Sequence, residues 1–77
     1  MEYFTILAWL PGETSFYAQK TTGEVGLLSK AGFVVTNPHY VDSAVVKWGF
    51  KDLRGLSIQA SQSQLDSLGS YLFTLSL

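Results

Sequence analysis

The chain is 77 residues long, has no cysteine, and sets five Lys or Arg against six Asp or Glu for a formal net charge of -1. Its length admits one domain, in which about 60% of the unfolded surface can be buried. The missing cysteines exclude disulfide staples, thiolate catalysis and Cys-based zinc sites, and the near-zero charge gives no long-range steering toward a polyanion.

In chain order, Met1-Glu2-Tyr3-Phe4 lacks the basic flank and cleavage site of a signal peptide, and the apolar run Phe4 to Leu10 is broken by Thr5. Neither a leader nor a membrane span is expected. Thr5-Ile6-Leu7-Ala8-Trp9 reads as a strand, Pro11-Gly12-Glu13 as a turn and Phe16-Tyr17-Ala18-Gln19 as a half-buried strand. Thr21 followed by Glu24, then Val25 and Leu28, carries the spacing of a capped helix. Gly32 would close that helix, and Phe33-Val34-Val35-Thr36 would follow as a strand.

The second half gives a parallel reading. Ala44-Val45-Val46-Lys47-Trp48 is predicted as a strand, Lys51 to Gly55 as a connector and Leu56-Ser57-Ile58-Gln59 as a second strand. Ser61, Gln64, Leu65 and Leu68 repeat the helix signature, Gly69 would end it, and Tyr71-Leu72-Phe73-Thr74 would form the last strand. Matched positions lie about 40 residues apart. The expectation is an α+β single domain, two-layered or barrel-like, built from pseudo-repeated ββαβ units over residues 1–39 and 40–77. The alternative is a ferredoxin-like βαββαβ sheet with one helix over 13–31 and a hairpin from Phe33 to Phe50; Gly23 and Gly26 oppose it, each costing about 1 kcal/mol in a helix.

Few residues carry catalytic chemistry. His39 is the only histidine, with Asp42 nearby, and no serine sits in a Gly-x-Ser-x-Gly elbow. His39 with Asp42 offers two ligands where a metal needs three or four, and no phosphate-cradling glycine pattern is present. The reading is therefore not an enzyme, with no metal and no cofactor.

Binding is the better expectation. The eleven aromatic rings, five Phe, four Tyr and two Trp, exceed what one small core needs. Trp9, Tyr17, Tyr40, Trp48 and Phe50 are the candidate protein-binding patch, because Tyr and Trp in a charge-poor surface mark contact cores. Gln19, Thr21, Gln59 and Ser61 would line a polar ligand pocket between the halves. Lys47, Lys51 and Arg54, interleaved with Trp48 and Phe50, resemble a base-stacking strand for single-stranded nucleic acid, although three cations around Asp52 are more commonly a solvated sheet edge, so nucleic acid ranks low. The run Tyr71 to Leu77 is expected as an open edge strand that pairs with a second copy. The functional expectation is a cytoplasmic, self-associating accessory regulator or inhibitor, a homodimer that binds a protein target, with a small-ligand binder and a weak nucleic-acid binder as alternatives.

Overall fold

Buried side chains alternate along the first half of the chain, and that alternation makes strands. The computed structural model describes residues 3–76. Four strands come first: β1 (Tyr3–Trp9), β2 (Phe16–Lys20), β3 (Val25–Ser29) and β4 (Gly32–Val35). Helix α1 (His39–Lys47) follows, then the short strands β5 (Lys51–Asp52) and β6 (Gln59–Ser61), a 3-10 turn at Gln62–Gln64, and helix α2 (Leu65–Ser76). All pairings are antiparallel, in the order β4-β3-β2-β1-β5, with β6 beside the other end of β1.

The molecule is an α+β domain, but its order of elements neither repeats a ββαβ unit nor matches βαββαβ. Four predicted elements change, and one of them, the strand expected over Leu56 to Gln59, is a turn at residues 54–57 with Ser57 at φ of 52°, so that only Gln59 enters β6. Thr21 to Glu24 is a turn rather than a helix start: Gly23 takes φ of 97°, Lys20 N–H donates to the Glu24 carbonyl at 2.9 Å, and Val25 begins a strand. Ala44 to Lys47 lies in α1, because Val41 and Ala44 at helical spacing bury against the sheet and outweigh the β-preference of the valines. Tyr71 to Thr74 continues α2 through Gly69, since Leu65, Leu68 and Leu72 share one buried face. The expected C-terminal edge strand is thus helix as far as Ser76, and Leu77 lies outside the described residues.

The second helix signature does start where predicted. Ser61 N–H donates to Gln64 Oε1 at 2.9 Å, completing a capping box into the 3-10 turn.

One helix covers each sheet face. Phe4, Ile6, Phe16, Ala18, Leu28 and Ala60 pack with Leu65, Leu68 and Leu72 of α2. Ala8, Val25 and Val41 form a smaller cluster on the α1 side, joined by Leu7, Tyr17, Val45 and Phe50. Strict alternation along β1 would turn Trp9 toward α1. A bulge between Ile6 and Ala8 inserts one residue, pairs Trp9 with Phe16, and returns the indole to the α2 core.

Candidate protein-interaction surface

Helix α1 is amphipathic and short. With Val41, Ala44 and Val45 against the sheet, residues on the opposite side face water, and Val46 is 80% exposed there. The helix stops at Trp48, and Gly49 takes φ of 78°, a left-handed conformation available to glycine at little cost. Trp48 and Phe50 N–H both return to the Ala44 carbonyl at 3.1 Å. This closure separates the two aromatic residues around Gly49. Phe50 turns inward, its ring meeting Tyr17 edge-on at 5.3 Å, while Trp48 remains 53% exposed.

The predicted aromatic patch therefore divides. Trp9 leaves it altogether: it is only 1% exposed, and its Nε1 donates to the Glu13 carbonyl at 3.1 Å. Tyr17 and Phe50 are half-buried partners beneath α1. Tyr40 and Trp48 stay exposed at the two ends of the helix. Val46 was missed by the sequence reading, although its position opposite Val41, Ala44 and Val45 on a 3.6-residue period carried the signal.

Arg54 is paired with two carboxylates. Its guanidinium grips Asp52 through Nε at 2.9 Å and Nη2 at 2.8 Å, and Nη1 reaches Asp42 on α1 at 2.6 Å. Lys47 and Lys51 are exposed, so the expected basic triad reduces to two lysines. Those bonds, with the Arg54 backbone N–H, lower the Asp52 carboxyl to about 2, and the two carboxylates push the guanidinium further up.

An acid-stability prediction follows from the sign of that shift. An unfolded aspartate titrates near 3.9, so the contribution of Asp52 is full above about pH 4 and is lost as pH falls through about 2. Because the partners are largely solvated, Asp52→Asn is expected to cost at most about 1 kcal/mol at neutral pH. Urea unfolding from pH 7 to pH 2 should show a shallower acid decline in the variant; superimposable pH profiles would contradict the assignment.

The proposed ligand residues do not converge. Gln19 and Gln59 flank Thr5 on adjacent strands, but the Gln19 amide is held by the Gly23 carbonyl at 3.1 Å. Thr21 is exposed on the β2–β3 turn, and buried Ser61 is committed to the cap before α2. A shallow cleft of about 190 Å³ between β6 and α2 includes Gln59, Gln64 and Tyr71 but neither Gln19 nor Thr21. A second open groove of about 450 Å³ runs between the Gly12–Thr14 turn and α2, past Phe73.

His39 is exposed at the start of α1, its N–H held by Asn37 Oδ1 at 3.0 Å. Among the described residues no three His, Asp or Glu side chains gather as metal ligands, and no helix is long and apolar enough to cross a membrane. Comparison of the chain with known protein families, with curated proteins and with solved structures yields no match.

Proposed function

We propose that this chain is a non-enzymatic protein-interaction module, an accessory regulator or inhibitor that acts by occupying a surface of a protein target. The exposed indole of Trp48 carries this reading. Tryptophan is the side chain most enriched among binding hot spots, and at 53% exposure this indole is open to a partner. Exposed Lys47, which precedes it in sequence, would supply a polar rim. The cysteine-free composition suits a reducing compartment such as the cytoplasm.

Trp48→Ala is expected to weaken target binding by at least 2 kcal/mol, about 30-fold, while changing stability by less than about 1 kcal/mol. The measurement is affinity capture of partners by wild type and variant, followed by calorimetric titration of the captured protein. Equal affinity for the two forms would remove Trp48 from the interface and with it the main support for this function.

A further inference from the structure

The sheet has two edges, and the described residues protect only one. On the β5/β6 side, β5 consists of Lys51 and Asp52, the strand is then broken by the excursion through residues 53–58, and the outward Ser61 N–H is taken by Gln64 Oε1. Charge, interruption and capping are the devices that stop a strand from recruiting another chain. On the opposite side, β4 and its continuation to Thr36 read Gly-Phe-Val-Val-Thr, without one charge. Val34 is 67% exposed and Val35 58%. Lys30, in the preceding turn, points its charge to Asp66 at 2.9 Å.

The hydrogen-bond parity of β4 defines what could pair with it. Thr36 N–H donates to the Val25 carbonyl at 2.9 Å, and Leu27 lies opposite Val34 and Ser29 opposite Gly32. Since bonded and non-bonded pairs alternate in an antiparallel ladder, residues 32, 34 and 36 bond inward to β3. The N–H and carbonyl groups of Phe33 and Val35 therefore point outward along the open edge.

We propose that β4 pairs antiparallel with β4 of a second copy of this chain, about a two-fold axis at Val34. In that register Phe33 of one copy faces Val35 of the other, each pair exchanging both of its hydrogen bonds. The two Val34 side chains meet as a close non-bonded pair on the α1 face, and Phe33 meets Val35 across the α2 face. The strand is thus complementary to itself, and no like charges oppose one another. The outer edges of the joined sheet are then the two protected β5/β6 sides, so the assembly closes at two copies instead of growing.

The pairing is independent of Trp48 and of the target. Edge pairing over strands this short buries less than the roughly 1,200 Å² of a standard interface, so the dimer is reversible. Sedimentation equilibrium is expected to show the average mass rising from 8.5 kDa toward twice that value with concentration. Val34→Lys, which places two ammonium groups across the axis, and Val35→Pro, which removes only an outward N–H, should each weaken the dimer at least tenfold. Val46→Lys on the outward side of α1 should leave it unchanged. In wild type, the Phe33 and Val35 amides should exchange more slowly as concentration rises, a readout that needs no variant. Wild type that stays monomeric at millimolar concentration, or a dimer that survives both β4 substitutions, overturns the proposal; a monomeric chain that still binds a target through Trp48 overturns this pairing alone.

Discussion

Trp9→Ala is expected to remove about 3–5 kcal/mol of stability. The indole is fully enclosed with Phe4, Ile6, Phe16 and the α2 leucines, and it ties the β1–β2 turn down through the Glu13 carbonyl. At ~0.05–0.15 kcal/mol per residue, a chain of 77 residues has roughly 4–12 kcal/mol in total. The substitution therefore leaves a domain at the margin of folding. Urea denaturation followed by circular dichroism should show a large drop in midpoint, or no cooperative transition at all. Trp9→Phe, which keeps most of the apolar volume and gives up the hydrogen bond, should lose distinctly less. A loss below about 1 kcal/mol for Trp9→Ala would mean that the bulge in β1 does not turn Trp9 into the core.

Gly26→Ala is the second large effect, and its sign is opposite to the usual one. Replacing a strand glycine by alanine ordinarily gains about 0.5–1 kcal/mol by restricting the unfolded chain. At Gly26 the added Cβ would run into the Val34 carbonyl oxygen and lie 2.7 Å from Cζ of Phe33. The Phe33 ring occupies that space because β3 carries no side chain there. It stacks on Phe4 at a centroid distance of 5.4 Å, with the Lys20 ammonium 5.0 Å from its centre. Making room requires movement of both ring and backbone, so a loss of about 1–3 kcal/mol is expected. Denaturant titration checks the sign directly. A neutral or stabilised Gly26→Ala would show that Phe33 does not lie across β3, and would weaken the placement of the β4 edge with it.

Much of the first half was legible in the sequence because short β-prone apolar runs are bounded there by turn residues. The strands at Thr5–Trp9, Phe16–Gln19 and Phe33–Thr36 correspond to β1, β2 and β4 within a residue or two. The Ser61–Gln64 cap was legible because its chemistry is local. Where tertiary packing decided between two local patterns, the sequence alone could not. The Thr21–Glu24 spacing of a helix cap is also the spacing of a tight turn between strands, and Gly23 in a left-handed conformation closes that turn. Val45 and Val46 favour strand by propensity, yet Val41, Ala44 and Val45 lie on one side of a helix, where Val41 and Ala44 are buried and the second core cluster takes in Val41 and Val45. Gly69 would end an isolated helix, but α2 continues because Leu72 buries on the far side of it.

The candidate site was legible in part for the same reasons. Tyr40 and Trp48 keep the exposure expected of them. Trp9 does not, because one bulge residue reverses the facing of everything after it in the strand. Arg54 stood with Asp52 in a basic cluster, whereas its second partner, Asp42 twelve residues away, meets it only once α1 and β5 are placed. The open edge was assigned to the C-terminal segment; it lies at β4, exposed by its position at the end of the sheet order.

The most direct test of the interaction surface is site-specific photo-crosslinking in the cells that make this protein. A photoreactive phenylalanine analogue would replace Trp48 in one sample and Thr22, exposed on the β2–β3 turn, in another. The account predicts a discrete heavier product from position 48 that is absent from position 22 and is competed away by excess wild-type protein but not by Trp48→Ala. Products of equal yield from both positions, or none from position 48, would contradict it.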